Sequence, residues 1–447
     1  MINLLRNLRS KSFPGGLHIK DYKYLTENLP IKRTPLPSRV RIPVCQHIGR
    51  PAVPIVKAGD EVKTGTLIAS ASGPVSSNIH SSITGKVTAI DRFPVPTGGE
   101  GLCIEITGNG SDEMQLGEDK DQNTVLRVRN AGIVGMGGAM FPSAVKLQPP
   151  GGSKIDTVIV NGAECEPFIN SDYRLMIEEP DMVLAGLKIC METVGAERAY
   201  IGIESNKPRA IGIIKEKIAG NGAGIKVVTL KTKYPQGGEK QLIKAILNKE
   251  VPEGGLPFNI GVLVQNIGTV VAVYEAIRLG KPLYERIVTV TGFCVREPAN
   301  WKVRIGTSFN DLIKWSGGLR GDPAKLIMGG PMMGLAQYTY DVPVIKGTNG
   351  ILVLDRKEVV FPPARACIRC ARCIQHCPMG LNPGLLANLV EKERWEEAGE
   401  EGIKGCMECG LCAYLCGSGR DIIQLIKYGK KRLEEIEKNA SKAATAV

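Results

Sequence analysis

The sequence of 447 residues has no long uninterrupted apolar run. No window approaches the roughly 18 apolar residues that a membrane-spanning helix needs, so we expect no segment of this chain within the bilayer. The first residues, MINLLRNLRSKSF, also lack an apolar core long enough for a secretory signal. Aromatic residues are few, at 5%, and none alternate with basic residues as is typical of nucleic-acid binding. We therefore predict no nucleic-acid partner.

The cysteines do not have the distribution of a disulfide framework. Eight of the thirteen lie within one segment of 50 residues, and the other five are scattered singly, which is typical of a protein from a reducing cytosol. We interpret the scattered cysteines as small core residues. They are Cys45, Cys103, Cys165, Cys190 and Cys294.

The clustered cysteines occur as CIRCARCIQHCP and CMECGLCAYLC, each with the spacing C-x2-C-x2-C-x3-C. In ferredoxins with two clusters, the fourth cysteine of such a run binds the other cluster. This crossing predicts two [4Fe-4S] clusters. Their ligand sets are Cys367, Cys370, Cys373 and Cys416 for cluster one, and Cys406, Cys409, Cys412 and Cys377 for cluster two. The alternative is a pair of zinc sites, which usually separate two C-x2-C pairs.

The net charge of +12 is concentrated at the N-terminus, because the first 50 residues hold ten Lys or Arg against Asp21 and Glu27. We predict a basic N-terminal arm over residues 1–38. Such an arm can dock on anionic lipid or on an acidic protein, although a solvated basic surface is an equal alternative.

Residues 39–115 have short alternating apolar runs between glycine turns, which predict an all-β domain. The half-motifs VPIVKAGDEVKTGTLIAS and IHSSITGKVTAI resemble the barrel-sandwich fold of lipoyl and biotinyl carriers. No lysine lies between Lys63 and Lys86, where the carriers have their attachment site. We expect the fold without the covalent function.

Alternating strand and helix patterns over residues 125–280 predict an α/β domain with a mostly parallel sheet, where ligands collect at the carboxyl ends of the strands. Residues 286–355 read as a small α+β module similar to β-grasp domains. Residues 362–420 then form a helical two-cluster ferredoxin domain, and residues 421–447 an amphipathic helix and tail. The fold class is therefore multidomain α/β and α+β.

The loop AGIVGMGGAMFPSAVKL lies in the α/β region. Its glycines Gly135, Gly137 and Gly138 let the backbone approach a planar or phosphate-bearing ligand. Pro142 suits the first turn of a helix whose N–H groups face an anion, and Lys146 adds a positive charge. A plain tight turn is the alternative. Polar residues at two further strand ends, Asn161, Glu164 and Glu166 in one loop and Asn266 and Thr269 in the other, favour a ligand site.

The segments GMGGAMFPSAVK, NGAECEP and QNIGTV together resemble the FMN and NADH site of the flavin subunit of respiratory NADH dehydrogenase. The domain order, with FPGGLHIKDYK and IPVCQHIGRPAVPIVKAGD, is similar to the RnfC family of the Rnf electron-transport complexes over nearly the whole chain. The resemblance implies non-covalent FMN on the glycine loop and the polar strand ends. It also implies NADH stacked near Phe141 with Glu166 on its ribose, and Phe141, Glu166 and Lys146 acting by position and charge.

The resemblance further implies an enzyme, part of a ferredoxin–NAD+ oxidoreductase, that exchanges a hydride between NAD(H) and FMN and then passes single electrons through both clusters. It would sit peripherally on the cytoplasmic face of the cell membrane, with other Rnf subunits as partners, ferredoxin as an indirect partner, and transport of Na+ or H+ coupled to electron flow. The first alternative is a soluble flavoprotein reductase, such as a cobalamin reductase. The second is a non-catalytic ferredoxin-like scaffold whose glycine loop binds nothing.

Overall fold

A computed structural model describes residues 10–117, 123–222, 224–359 and 363–445. Within these residues the strands form four sheets, and no helix is both long and apolar enough to cross a membrane.

The N-terminal β domain consists of two antiparallel sheets that face each other, one of four strands in the order β2-β8-β7-β4 and one of three in the order β3-β5-β6. Burial alternates along the longer strands, and Ile42, Ile68 and Ile104 are fully buried in the shared core. The strands are β2 (Arg39–Pro43), β3 (Val53–Pro54), β4 (Glu61–Val62), β5 (Leu67–Ser70), β6 (Ile79–His80), β7 (Gly85–Pro94) and β8 (Glu100–Gly108).

The central domain has a parallel sheet in the order β11-β10-β9-β12, which are the four strands predicted from the sequence. Their apolar residues are buried beneath helices because both faces of a parallel sheet are covered. The strands are β9 (Thr157–Gly162), β10 (Arg198–Glu204), β11 (Ile225–Leu230) and β12 (Val262–Asn266). The helices are α1 (Thr124–Asn130), α2 (Ser143–Leu147), α3 (Ser171–Glu178), α4 (Pro180–Val194), α5 (Pro208–Asn221), α6 (Glu239–Leu247) and α7 (Ile267–Leu279).

The third domain contains a mixed six-stranded sheet in the order β1-β14-β13-β17-β15-β16, with the predicted short helix packed on it. The helix begins at a Ser308 cap, whose side chain accepts from the Asp311 N–H at 3.1 Å. Its elements are β13 (Glu285–Thr291), β14 (Ala299–Arg304), α8 (Phe309–Trp315), β15 (Pro323–Met328), β16 (Leu335–Gln337) and β17 (Gly350–Asp355).

The cysteine-rich domain is helical around a core that includes Leu386, Val390, Ile403 and Ile426. Its helices are α9 (Arg372–Gln375), α10 (Pro383–Glu391), α11 (Trp395–Glu400), α12 (Leu411–Tyr414) and α13 (Ile422–Thr445). The segment between the cysteine motifs is not one helix, because the chain turns at Glu393, which has a φ of 53°. Short 3-10 turns occur at Lys23–Leu25, Pro150–Gly152, Pro257–Ile260, Arg356–Glu358 and Ile403–Gly405.

The prediction of a separate basic arm is wrong for the described part of residues 1–38. The segment β1 (Ile31–Arg33) joins the third domain as a parallel edge strand beside β14. Lys11 pairs with Leu230 at the edge of the central sheet, and Leu17 pairs with Tyr234. Several basic side chains of this segment are therefore used within the molecule.

Lys23 is the most buried of these basic residues, at 3% exposure. Its Nζ donates to the carbonyl oxygens of Glu166 at 3.0 Å and Ile169 at 2.5 Å. The N-terminal segment thus holds the loop that follows β9.

We expect Lys23→Ala to lower the free energy of unfolding by about 1–3 kcal/mol, because two buried carbonyl groups lose their donor. The matched control is Arg33→Ala, an exposed position of the same segment, which we expect to change stability by less than about 0.5 kcal/mol. Urea denaturation of both variants measures the difference. Equal effects would contradict the assigned role of Lys23.

Candidate functional site

The glycine loop lies against the start of α7, at the carboxyl edge of the parallel sheet. The Met136 N–H donates to Thr269 Oγ1 at 2.9 Å. A Cβ on Gly137 would lie 3.4 Å from the Cβ of Asn266, and Asn266 caps α7 by accepting from the Thr269 N–H at 3.3 Å. The structure therefore brings together the loop and the Asn266–Thr269 corner, as the sequence predicts.

The tip of this loop is open. Gly137, Gly138 and Ala139 are exposed, and a Cβ on Gly138 would meet no atom within 4 Å. Gly138 has a φ of 112°, where only glycine is unstrained. The loop closes through a bond of 2.8 Å from the Gly135 N–H to the carbonyl oxygen of Phe141, whose side chain is half-buried.

The helix after the loop does not supply the free N–H groups that we expect from Pro142. It has five residues, Ser143–Leu147. The Ser143 N–H donates to the Ile133 carbonyl at 3.0 Å and the Val145 N–H to the Pro142 carbonyl at 3.2 Å. Lys146 is also occupied, since its Nζ lies 2.8 Å from Glu239 Oε1 and 3.2 Å from the Val264 carbonyl. Both groups serve the protein itself in this structure.

The loop after β9 uses its polar residues for internal contacts. Asn161 donates from Nδ2 to the Gly237 carbonyl at 2.8 Å. The Glu164 carboxylate accepts from the backbone N–H groups of Asp172 at 2.7 Å and Tyr173 at 3.1 Å. Glu164 is therefore the cap of α3, a role that its position seven residues before the helix did not indicate.

Glu166 is directed away from the open loop. Its carboxylate accepts from the N–H groups of Met332 at 3.2 Å and Met333 at 2.8 Å, in the third domain. Burial raises the pKa of Glu166 to about 7, although these two bonds act in the opposite direction. The expected ribose contact would require the carboxylate to leave both amides.

Two charged residues of the site were missed by the sequence analysis. Asp172 Oδ2 accepts from Asn266 Nδ2 at 2.5 Å, and burial, followed by the nearby charge of Glu164, raises the pKa of Asp172 to about 7. Arg286 is fully buried beside this acid and donates to the Met136 carbonyl at 3.4 Å. Asp172 follows the polar loop directly in sequence, but Arg286 lies on a strand of another domain, so no local pattern indicated it.

Several buried polar atoms near the loop have no hydrogen-bond partner within the described residues. They are Ser143 Oγ, Gln265 Nε2 and both amide atoms of Gln236. Ser143 follows the glycine loop, Gln265 precedes Asn266, and Gln236 precedes the Gly237 that binds Asn161. Buried polar groups are rarely left unpaired. Together with the open glycine tip, these atoms fit a polar ligand such as FMN at this edge of the sheet.

Cys377 lies with the second cysteine motif rather than with its own. Burial raises the pKa of Cys409 to about 11 and that of Cys412 to about 12, and the charges of Cys406 and Cys377 raise both further. This proximity supports the crossed ligand set predicted for cluster two. Cys373 lies near Cys367 in the same way, within the set predicted for cluster one.

The second motif packs directly on the central domain. The buried hydroxyl of Tyr234 donates to the Cys409 carbonyl at 2.8 Å. Gln241 Nε2 donates to the Pro378 carbonyl at 3.2 Å, next to Cys377. By contrast, Cys367 and Cys370 of the first motif are exposed. Cluster two is thus the one on the side of the glycine loop and its sheet.

Comparison with known families assigns each domain. The matches are the RnfC Barrel sandwich hybrid domain over residues 11–111, the Nuo51 FMN-binding domain over 128–275, the SLBB domain over 287–336 and the 4Fe-4S dicluster domain over 360–417. The predicted fold class and the predicted FMN and iron–sulfur cofactors are confirmed. The last match also favours [4Fe-4S] clusters over the zinc alternative.

Three similar proteins cover nearly the whole chain, and each is the C component of a multi-subunit complex. That of the proton-translocating ferredoxin:NAD(+) oxidoreductase complex of Clostridium ljungdahlii is 47% identical over 94% of this chain and 93% of that protein. That of the Na(+)-translocating ferredoxin:NAD(+) oxidoreductase complex of Acetobacterium woodii is 40% identical over 96% and 98%. That of the ion-translocating oxidoreductase complex of Rhodobacter capsulatus is 41% identical over 97% and 85%.

The crossed ligand sets make a specific prediction for serine variants. Cys377→Ser and Cys409→Ser should lose the same cluster and leave the same residual paramagnetic spectrum on reduction. Cys370→Ser and Cys416→Ser should share the other spectrum, since each variant removes one ligand of cluster one. Spectra that instead pair Cys377→Ser with Cys370→Ser would show that each motif binds its own cluster.

The raised pKa of Glu166 predicts a dependence of stability on pH. Between about pH 4.5 and pH 7 the unfolded chain releases this proton while the folded chain holds it, so stability falls as pH rises. We expect Glu166→Gln to remove about 1–3 kcal/mol of this fall, leaving the part that belongs to Asp172. Urea midpoints at both ends of the range measure it. An unchanged slope would show that Glu166 is ionised in the folded chain.

Proposed function

Because this chain belongs to the RnfC family, whose members are subunits of ion-translocating ferredoxin:NAD(+) oxidoreductase complexes, we propose that it is the site where such a complex exchanges electrons with NAD(H). A hydride passes between NAD(H) and FMN, and single electrons pass between FMN and the two [4Fe-4S] clusters. FMN supplies the conversion between two-electron and one-electron chemistry when it is bound. The soluble reductase and scaffold alternatives are less consistent with relatives of this length and name.

The chain's own contribution at the flavin is to bind and orient. We propose that Gly135, Gly137 and Gly138 give the cofactor close access to the backbone, with Asn266 and Thr269 at the facing corner. The unpaired polar atoms of Ser143, Gln236 and Gln265 would gain partners there. Phe141, at the end of the loop, is the proposed stacking surface for the nicotinamide.

The remaining predicted residues act through others in this proposal. Glu164 caps α3 and so fixes Asp172, which in turn holds the amide of Asn266. Asn161 orients the Gly237 loop. Lys146, paired with Glu239, keeps a positive charge near the site. Glu166 ties the loop to the third domain, and its contact with ribose stays a prediction.

The packing of the second motif supports an order of electron transfer. Cys409 and the neighbour of Cys377 contact the central domain, whereas Cys367 and Cys370 face solvent. We propose the order FMN, cluster two on Cys377, Cys406, Cys409 and Cys412, then cluster one on Cys367, Cys370, Cys373 and Cys416. Cluster one then exchanges electrons with another component.

The relatives are parts of multi-subunit complexes, and this chain is a component of the same kind. We propose that it sits peripherally on the cytoplasmic face of the cell membrane, bound to the membrane-embedded subunits. The two relatives whose names state an ion differ in it, H+ in one and Na+ in the other. The coupled ion of this chain is therefore one of these two, and ferredoxin is its indirect partner.

The observation that carries this proposal is the glycine loop placed against Asn266 and Thr269, on the side of the central domain where cluster two docks. Its test is anaerobic purification, flavin and iron analysis, and bleaching of both chromophores by NADH. We expect Gly137→Ala to weaken FMN binding roughly ten-fold, because a methyl group then lies where the backbone must be approached closely. Iron content should not change.

The control for that variant is Gly212→Ala, at a position of α5 with open space around it. Gly137 has no positive φ, and its added Cβ makes only ordinary contacts, so the variant should fold. A wild-type chain that binds FMN but is not bleached by NADH would contradict the proposed function. Equal FMN affinity in Gly137→Ala would move the flavin away from this loop.

A further inference from the structure

A basic surface surrounds the first cysteine motif. Residues 359–390 include Arg365, Arg369 and Arg372 but no Asp or Glu. These arginines, with Ile368 and Ile374, form what we call the arginine patch. All five residues are exposed, Ile368 at 71% and Ile374 at 43%.

The charges of this patch are not used within the described part of the molecule. None of the three arginine side chains there forms an ion pair, whereas Arg394 and Arg420 in the same domain pair with Glu397 and Glu391. Three unpaired guanidinium groups beside two exposed isoleucines form a surface that is both strongly positive and apolar. Such surfaces are typical of interaction sites.

The position of the patch relates it to electron transfer. It surrounds Cys367 and Cys370, the exposed ligands predicted for cluster one. The side of the domain that carries Cys377 and Cys409 is covered by the central domain through Tyr234 and Gln241. A molecule that exchanges electrons with cluster one must therefore approach at the patch.

We infer that the arginine patch docks an acidic protein domain that carries an iron–sulfur cluster, of the ferredoxin class, and exchanges one electron with cluster one at each encounter. Guanidinium groups pair with carboxylates in a fixed fork geometry, and Ile368 supplies apolar contact at the centre. In the direction of NAD+ reduction, each reduced carrier is oxidised by one electron. Two such transfers and one proton convert NAD+ to NADH. The inference rests on the proposed function.

An anionic membrane surface would also attract these arginines. It would leave cluster one without a redox partner, since lipid headgroups neither accept nor donate electrons. Because the patch is centred on two predicted cluster ligands, the protein carrier is the occupant that uses its position.

The test uses the whole chain, purified anaerobically with FMN and both clusters, and an acidic two-cluster bacterial ferredoxin as the probe. Reduced ferredoxin and NAD+ are mixed with the protein, and NADH formation is followed at roughly 20 mM and roughly 200 mM NaCl. We expect Arg369→Glu combined with Arg372→Glu to slow the reaction roughly ten-fold at low salt and to remove most of its salt dependence.

The matched control combines Lys431→Glu with Lys438→Glu on exposed positions of α13, which changes the net charge by the same amount. It should retain the wild-type rate and salt dependence. Iron content and bleaching by NADH should be the same in all three proteins, which shows that folding and the flavin reaction are intact. A wild-type chain that NADH fails to bleach would contradict the proposed function instead.

Two outcomes would overturn the inference while leaving the proposed function in place. In the first, the arginine variant and the control reduce NAD+ at the same rate with the same salt dependence. In the second, the arginine variant loses binding to vesicles of phosphatidylglycerol and phosphatidylcholine but keeps its rate with ferredoxin. That second result would assign the patch to the membrane surface.

Discussion

The hydrogen bond from the Tyr234 hydroxyl to the Cys409 carbonyl fixes the cysteine-rich domain on the central domain. Tyr234 is 1% exposed, so its hydroxyl has no water to replace this partner, and the bond is correspondingly costly to break. Electron transfer requires that redox groups be held close together, which makes the relative placement of the two domains the main task of the protein. The flavin loop, the crossed cysteine sets and the exposed arginine patch all take their meaning from that placement.

The loop from Ala163 to Asn170 joins three parts of the molecule. Lys23 of the N-terminal segment holds its carbonyl groups, Glu164 caps the following helix, and Glu166 holds the backbone at Met332 and Met333. Met332 in turn lies against Gly410, between two predicted ligands of cluster two. One loop therefore connects the glycine-loop site, the third domain and the cluster domain, using buried bonds rather than surface ion pairs.

The sequence was sufficient wherever the signal is local. The four parallel strands follow from apolar runs before helical patterns, and the two cluster motifs follow from cysteine spacing. It was insufficient where a side chain finds its partner far along the chain, as Glu166 does at Met332 and Lys146 does at Glu239. The basic N-terminal segment failed for the same reason, because composition shows the charge of Lys23 but not the carbonyl groups that surround it. The turn at Glu393 also interrupts a helix that residue preferences alone would continue.

The most direct test of this account is the location of the iron groups relative to FMN. Anomalous diffraction at the iron absorption edge, from crystals of the anaerobically purified protein with FMN bound, gives these positions without reference to kinetics. The account predicts that the iron group held by Cys377, Cys406, Cys409 and Cys412 is the nearer one to the flavin, with the other beyond it beneath the arginine patch. An iron group on Cys367 and Cys370 that lies nearer to the flavin would contradict it.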